Sequence, residues 1–345
     1  MPQNVIFGTG PLGLAVARQL VAAGKEVRLV NRSGNATAPQ GVDVVAADGA
    51  DVEASRAVCE GAAVVYHCAT GAYGRWAEFL PPLMNGIIEG AASAQAKLVY
   101  GDNLYAYGPV DGPITEELPN HPIGPNTRTR AEIANTLMGA HTAGRVRATI
   151  GRGSDFYGPY ARQSTAGDGL FARVLAGKPA QVLGDVDTPH TYTFIDDFAS
   201  GLVTLGEHDE SLGQVWHVPS AETVTTRRFV EMVFAKLGRP AKLRPAPKLA
   251  ICAPRTLRSA DGGCQRDFVS KGASLGGRSQ QVLGHVRKQS HASRAGYCAN
   301  PGLVPIQLAG ACSRAALQRP RNSGLRLPVK PAWNSRKSSA VISSV

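Results

Sequence analysis

The chain of 345 residues is long enough for one large domain or two ordinary ones. Its hydrophobic fraction of 43% is normal for a globular protein, and no apolar run approaches the roughly 20 residues that a membrane-spanning helix needs. We therefore predict no membrane segment. A strand-like run, Val5-Ile6-Phe7, stands where a secretory leader would carry basic residues and an apolar stretch, which predicts a cytoplasmic location.

The net charge of +11 is concentrated in the last part of the chain. Residues 1–251 hold 22 Lys and Arg against 24 Asp and Glu, a net −2, and residues 252–345 hold 15 against 2, a net +13. These basic residues are scattered singly among few aromatics, so nucleic acid is not an expected partner. Because residues 251–345 lack both strand and helix periodicity, we expect a disordered tail or one translated out of frame. The six cysteines lack the short spacing of a zinc site, and no metal is predicted.

β-Branched runs alternate with amphipathic stretches of helix length over residues 1–150, a pattern that predicts a parallel sheet covered by helices. The predicted strands are Val5–Phe7, Val27–Val30, Val42–Val45, Val64–His67, Lys97–Tyr100 and Val146–Ile150. The predicted helices are Leu12–Ala23, Ala77–Ala94 and Arg130–Ala143. Further on, a strand is predicted at Gly213–Val218 and a helix at Thr226–Leu237. The fold class is α/β: a Rossmann-type doubly wound sheet over residues 1–150, then a smaller C-terminal substrate lobe over residues 151–250, partly interleaved with it.

The loop Gly8-Thr9-Gly10-Pro11-Leu12-Gly13 has the GxGxxG spacing and lies between the first strand and the first helix. The first glycine of such a loop allows a tight turn, the second lets the backbone approach a pyrophosphate, and the third lets helix and strand pack closely. Free N–H groups and the positive end of the helix dipole then face the phosphate charge. The loop therefore predicts a dinucleotide site.

The residues after the second strand indicate which dinucleotide is bound. Asn31 and Arg32 stand where NAD enzymes usually place an Asp or Glu that binds the adenosine ribose. A guanidinium at Arg32 can pair with a 2′-phosphate, so NADP(H) is favoured, with NAD(H) as the alternative. Asp48, after the third strand, is a candidate acceptor for the adenine amino group; the alternative is that it caps the helix beginning near Asp51.

Several motifs resemble the extended short-chain dehydrogenase/reductase superfamily, also called the NAD-dependent epimerase/dehydratase family. Beside the glycine loop and Asp48, they are His67-Cys68-Ala69, Tyr107-Gly108, Ile114-Thr115-Glu116-Glu117, Tyr157-Gly158-Pro159, Phe194-Ile195-Asp196-Asp197-Phe198-Ala199 and Trp216-His217-Val218-Pro219. The resemblance implies a substrate bound beside the nicotinamide, near Ala69, with the second lobe as the other wall. By analogy it also implies a homodimer formed through the two long helices.

The sequence departs from this family at its catalytic pair. Family members use a Tyr-x-x-x-Lys pair, in which the tyrosine transfers the proton and the lysine holds the ribose, together with a Ser or Thr. Alignment of the motifs implies Asn126 at the tyrosine position, Arg130 at the lysine position and Asn103 at the hydroxyl position. Arginine can still bind ribose or phosphate, but asparagine cannot replace a phenol as proton donor.

Other side chains are candidates for the missing acid, each with a structural alternative. Tyr107, or its neighbour Tyr105, is a candidate acid that could instead be a structural tyrosine beside a glycine turn. Asp155 and His190 in the second lobe are further candidates. The leading hypothesis is an NAD(P)-dependent oxidoreductase or epimerase that acts by hydride transfer on a carbonyl or sugar-like small molecule. The alternative is a non-catalytic NADP(H)-binding or redox-sensing protein that has lost the acid.

Overall fold

The β-branched runs of the sequence form strands, and the amphipathic stretches between them form helices. The computed structural model describes residues 4–182 and 184–245, so the prediction for residues 251–345 lies outside the described residues. The strands are β1 (Asn4–Phe7), β2 (Val27–Asn31), β3 (Asp43–Ala46), β4 (Val64–His67), β5 (Lys97–Asn103), β6 (Arg147–Gly153), β7 (Asp155–Tyr157), β8 (Ala180–Val182), β9 (Pro189–His190), β10 (Tyr192–Phe194), β11 (Val215–His217), β12 (Val224–Thr225) and β13 (Leu243–Pro245). The helices are α1 (Pro11–Ala22), α2 (Val52–Cys59), α3 (Trp76–Ser93), α4 (Pro125–Thr142), α5 (Phe171–Leu175), α6 (Ile195–Glu207) and α7 (Thr226–Lys236).

The central sheet has seven parallel strands in the order β3-β2-β1-β4-β5-β6-β11. The strand order reverses between β1 and β4, and doubly wound sheets bind their ligands outside the carboxyl ends of the strands at such a reversal. Phe7 and His67, the last residues of β1 and β4, lie side by side. The loops that follow these strands therefore meet at one crevice. The predicted Rossmann-type sheet is confirmed.

Helices cover both faces of this sheet and bury its apolar strands. On one face α2, α3 and α4 contribute buried side chains such as Met84 and Leu137. On the other face α1 and α6 contribute Leu20 and Leu202. Because water is excluded from both faces, the strands are apolar along most of their length, as parallel sheets require. No helix in residues 4–182 and 184–245 is long and apolar enough to cross a bilayer.

Helix α4 begins at Pro125, earlier than the predicted start at Arg130. The cap explains the difference, because Thr127 Oγ1 accepts from the Gly124 amide and donates to the Gly124 carbonyl oxygen, at 2.8 and 2.9 Å. Pro125 follows in the first helical position, where its missing N–H costs nothing. The first turn is polar, so apolar periodicity does not reveal it.

Two elements that follow residue 150 complete the central domain. Strand β11 pairs with β6, and the unpredicted helix α6 packs against α1. There the Arg18 guanidinium lies 2.7 Å from a carboxylate oxygen of Asp196, and the Gln19 amide donates to the Asp196 carbonyl. The chain thus returns to the first domain after leaving it. The boundaries predicted at residues 150 and 250 stay predictions.

Candidate functional site

The glycine loop connects β1 to α1, and its close contacts require glycine at two positions. Gly8 has φ of 107°, and a Cβ there would lie 2.7 Å from the backbone of Ala69, which follows β4. A Cβ on Gly13 would lie 1.9 Å from the carbonyl oxygen of Gly8. Gly10 differs, because a Cβ there would meet nothing within 4 Å. The loop therefore packs closely against protein backbone at Gly8 and Gly13, and the space beside Gly10 is open.

The open side of the loop faces the beginning of α1. Gly10 is the N-cap residue, without a side-chain hydrogen bond, and Pro11 is the first helical residue. The first intrahelical hydrogen bond of the helix runs from the Leu14 amide to the Gly10 carbonyl, so the Leu12 and Gly13 amides precede any helical acceptor. These donors and the positive end of the helix dipole suit a diphosphate.

The polar side chain at the end of β2 holds the loops together. Asn31 Nδ2 donates to Thr9 Oγ1 at 3.0 Å, which joins the loop after β2 to the glycine loop. Asn31 Oδ1 accepts from the amides of Ser33 and Gly34, at 3.0 and 2.7 Å. The acceptor of Asn31 is therefore occupied by its own turn. Arg32 is exposed and makes no ion pair within the described part of the chain.

Asp48 lies after β3 and shapes the turn that leads into α2. Its carboxylate accepts from the Ala50 amide at 3.0 Å, and its carbonyl accepts from the Asp51 amide. The helix cap is Asp51, which accepts from the amides of Glu53 and Ala54. The alternative role considered for Asp48, as the cap of this helix, belongs to Asp51. The exposed carboxylate of Asp48 stays a candidate for the adenine contact.

Arg130 is enclosed at the carboxyl edge of β4 and β5. Its Nη1 donates to the Tyr100 hydroxyl at 2.6 Å and lies 3.4 Å from a carboxylate oxygen of Asp102, and its Nη2 donates to Thr70 Oγ1 at 3.3 Å. The guanidinium carbon stacks 4.2 Å from the centre of the Trp76 ring. Burial alone would lower the pKa of Arg130, but the Tyr100 hydroxyl and the Asp102 carboxylate raise it above its usual value. Arg130 is therefore a fixed cation.

Of the three predicted catalytic residues, Arg130 and Asn103 lie at this edge, and Tyr107 is turned away from it. Asn103 ends β5, and its side-chain oxygen accepts from the Tyr105 amide at 3.0 Å. Asn126, at the family's tyrosine position, is half-buried in the first turn of α4. Tyr107 is only 1% exposed, and its hydroxyl lies 2.9 Å from His217 Nε2. The structure thus places Tyr107 in the interior, beside β11.

Asp155 and His190 pair with each other in the second lobe. His190 Nε2 lies 3.3 Å from a carboxylate oxygen of Asp155, and the His190 ring packs 4.5 Å from that of Tyr192. Tyr157, of the Tyr157-Gly158-Pro159 motif, packs among aromatic rings that include Phe229. These contacts explain the side chains as parts of the packing of the lobe.

Three residues of the site were missed by sequence reasoning. Tyr100, Asp102 and Trp76 surround Arg130, and Asp102 also lies 3.1 Å from Arg152 Nε. The available signal was the charge of Asp102 shortly after the apolar run Leu98-Val99-Tyr100, because a buried carboxylate needs a counter-charge. Nothing in the sequence singled out Trp76.

Two buried histidines beside these arginines are held neutral. Burial lowers the pKa of His67 to about 3, and the Arg130 charge adds to the effect. Burial, and then the Arg152 charge, lower the pKa of His217 from 6.5 to about 4. Both nitrogens of His67 lack a hydrogen-bond partner among the described residues.

We expect the fold to lose stability as the pH falls from 6.5 towards about 4, in part through His217. The unfolded chain binds a proton on this histidine in that range and the folded chain does not, so acid favours unfolding. Urea unfolding at pH 7.5 and pH 5 measures the loss, and His217→Gln, which keeps a nitrogen for Tyr107, should reduce it. An equal acid loss in the variant would contradict this assignment.

Comparison with known proteins agrees with the fold. The sequence profile of the NAD dependent epimerase/dehydratase family matches residues 5–218. No curated protein matches the sequence significantly. DesIV, a dTDP-glucose 4,6-dehydratase from Streptomyces venezuelae solved with NAD bound, is similar at 19% identity with a TM-score of 0.65, over 81% of this chain and 90% of its own.

Two epimerases solved with NAD have the same fold. The UDP-glucuronic acid 4-epimerase of Bacillus cereus is 18% identical with a TM-score of 0.62, over 70% of this chain and 86% of its own. The UDP-glucose 4-epimerase of Thermus thermophilus is 20% identical with a TM-score of 0.61, over 86% of this chain and 94% of its own. Because the family profile spans more than half of the residues and the fold agrees, the chain belongs to the NAD-dependent epimerase/dehydratase family.

Proposed function

We propose that the chain is an NADP(H)-dependent oxidoreductase or epimerase that transfers hydride from an alcohol carbon of a sugar nucleotide or to the corresponding carbonyl carbon. One observation carries this proposal: the glycine loop and Arg130 meet at the same crevice. Gly8 abuts the backbone of Ala69, and the next residue, Thr70, accepts a hydrogen bond from Arg130. The sugar-nucleotide class is inferred from proteins of the same fold, which include a dTDP-glucose 4,6-dehydratase and an enzyme solved with UDP-glucose and with UDP-glucuronic acid.

The residues present fit a dinucleotide. Space is open above Gly10, and Arg130 Nε is buried without a hydrogen-bond partner in the described part of the chain. The Leu12 and Gly13 amides would hold the pyrophosphate, and Arg130 would hold the ribose of the nicotinamide. Asp48 would accept from the adenine amino group. When bound, the nicotinamide supplies or accepts the hydride, and the chain supplies position, charge and a proton.

NADP(H) is the proposed cofactor because of the groups after β2. The Asn31 acceptor is occupied by its turn, so it does not replace the carboxylate that usually binds a 2′-hydroxyl. The exposed Arg32 is available to pair with a 2′-phosphate, and the neutral Asn31 does not repel that group. Charge-assisted hydrogen bonds of this kind are the strong ones.

We expect Arg32→Ala to weaken NADPH binding by about 10- to 100-fold and to leave NADH binding nearly unchanged. Only NADPH carries the 2′-phosphate, so only its contact is lost. Fluorescence titration of the full chain with each reduced nucleotide measures both dissociation constants. Arg228→Ala, which removes an exposed arginine on α7, is the matched control. Tighter binding of NADH than NADPH by the unaltered chain would overturn the cofactor proposal.

Tyr105 is proposed as the acid in place of the absent motif tyrosine. Tyr100 and Tyr107 are each only 1% exposed, so both are enclosed by the protein. Tyr105 is half-buried, and its ring centre lies 6.0 Å from that of Trp76, on which Arg130 stacks. Asn103 holds the Tyr105 amide. In the reducing direction, the phenol would give its proton to the carbonyl oxygen as the hydride reaches the carbon.

A second candidate function is supported by Asn126. An amide at the family's tyrosine position cannot donate a proton as a phenol does, so the chain could bind NADP(H) as a non-catalytic or redox-sensing protein. Turnover separates the two functions. Incubation with NADP⁺ or NADPH and a panel of UDP-glucose, UDP-glucuronic acid and dTDP-glucose should give product or nicotinamide redox change for an enzyme. Binding without turnover of any of them would favour the second function.

The assembly and location of the protein stay predictions. By analogy with the family, two copies would pair through α3 and α4 as a homodimer, a state that light scattering would measure. The cytoplasmic location also rests on the sequence alone.

A further inference from the structure

We propose that Asp102 is the positioning residue that orients Arg130 for the cofactor. This inference rests on the proposed function, because it assigns Arg130 to the nicotinamide ribose. Asp102 lies in β5 with a fully buried side chain, so it cannot itself touch a ligand in the crevice. Its effect on binding must pass through a neighbour.

The two oxygens of Asp102 are divided between two arginines. Oδ1 lies 3.4 Å from Arg130 Nη1, and Oδ2 lies 3.1 Å from Arg152 Nε. Both guanidiniums are buried almost completely, at 8% and 3% side-chain exposure. One carboxylate thus balances part of two buried charges, and each arginine depends on it for a counter-charge.

The remaining contacts of Arg130 do not replace this carboxylate. Tyr100 and Thr70 each offer a neutral hydroxyl oxygen, and Trp76 offers the face of its ring. A guanidinium is planar and its N–H donors point in fixed directions, whereas the ammonium of a lysine acts as a point charge. The hydrogen bonds that an arginine can make to a ligand therefore depend on how its guanidinium plane is rotated. Asp102 is the charged partner that defines this rotation. A family position that carries lysine elsewhere is served here by arginine with a buried carboxylate behind it.

The second arginine extends the arrangement away from the crevice. Arg152 lies on β6, and its guanidinium carbon is 4.6 Å from the centre of the Tyr107 ring. The Tyr107 hydroxyl contacts His217 on β11. The contacts of Arg152 therefore belong to the packing of the interior. Replacing Arg152 removes one partner of Asp102 and leaves the contact between Asp102 and Arg130 in place, which makes it a useful comparison.

The test is a mutant cycle on NADPH affinity, measured by fluorescence titration of the full chain. We expect Asp102→Asn to weaken NADPH binding about tenfold or more, and to have almost no further effect when Arg130→Gln is already present. That dependence on Arg130 would not arise from a general loss of structure. Equal weakening in both backgrounds, or no weakening in either, would overturn the proposal.

Asp102→Asn leaves two buried cations unbalanced, and a second pair of variants keeps the test decisive if it does not fold. Arg152→Met retains the Arg130 contact and should keep the NADPH affinity. Asp102→Asn/Arg152→Met removes the Asp102–Arg152 ion pair without changing the net charge, and it should lower the NADPH affinity by about tenfold. Equal affinity of these two variants would refute the role of Asp102.

Asp209→Asn is the matched control. Asp209 also bridges two cations, Lys97 at 2.8 Å and Arg147 at 2.6 Å, but at the amino ends of β5 and β6. It should leave the NADPH affinity unchanged. Absence of NADPH and NADH binding by the unaltered chain would refute the proposed function itself, whereas binding that ignores Asp102 would refute this inference alone.

Discussion

Turnover is expected to fall by about 10²- to 10⁴-fold when Tyr105 is replaced by phenylalanine, with the affinity for NADPH unchanged. The substitution keeps the ring that packs near Trp76 and removes the phenolic hydroxyl, which carries the proton that the proposed mechanism requires. The measurement is the steady-state rate on whichever of UDP-glucose, UDP-glucuronic acid and dTDP-glucose the unaltered chain uses, with a parallel NADPH titration.

Tyr107→Phe is the matched control for this prediction. It removes a hydroxyl from the same 3₁₀ turn, but that hydroxyl contacts His217 in the interior. We expect it to lower the free energy of unfolding by about 1 kcal/mol and to leave the rate within about twofold. If Tyr107→Phe abolished turnover while Tyr105→Phe did not, the acid would have been assigned to the wrong tyrosine.

Gly13→Ala is expected to lower NADPH affinity by at least about tenfold and to destabilise the fold by about 1–3 kcal/mol. The new Cβ would lie 1.9 Å from the Gly8 carbonyl oxygen, a backbone atom that cannot move without displacing the loop. Thermal unfolding and NADPH titration measure the two effects, and both should appear in the same variant.

Gly10→Ala separates binding from stability. Gly10 has φ of −74° and ψ of −177°, a conformation open to alanine, and its Cβ would meet no protein atom within 4 Å. The unfolding temperature should therefore stay the same, while the methyl group occupies the space above the loop and weakens NADPH binding. Full NADPH affinity in both glycine variants would show that this loop does not hold the diphosphate.

Local sequence patterns were sufficient to predict the strands of the central sheet and the position of the glycine loop. The predicted strand Val64–His67 agrees with the observed bounds, and the glycine loop lies between β1 and α1 as expected. These features follow from short-range physics: β-branched residues favour strands, and only glycine tolerates the contacts at Gly8 and Gly13. Polar segments were harder, because the first turn of α4 is ordered by the Gly124 and Thr127 cap rather than by apolar spacing.

Sequence by itself determined the fold class, the glycine loop, the family and the absence of the motif tyrosine, since each depends on residues close together in the chain. Only the tertiary structure decided what surrounds Arg130, because Thr70, Trp76 and Asp102 come from different elements that the sheet order brings together. It also separated Tyr105 from Tyr107. Two residues apart, they share one turn, but Tyr107 is buried against His217 of β11, whereas Tyr105 is half-buried with its ring near Trp76.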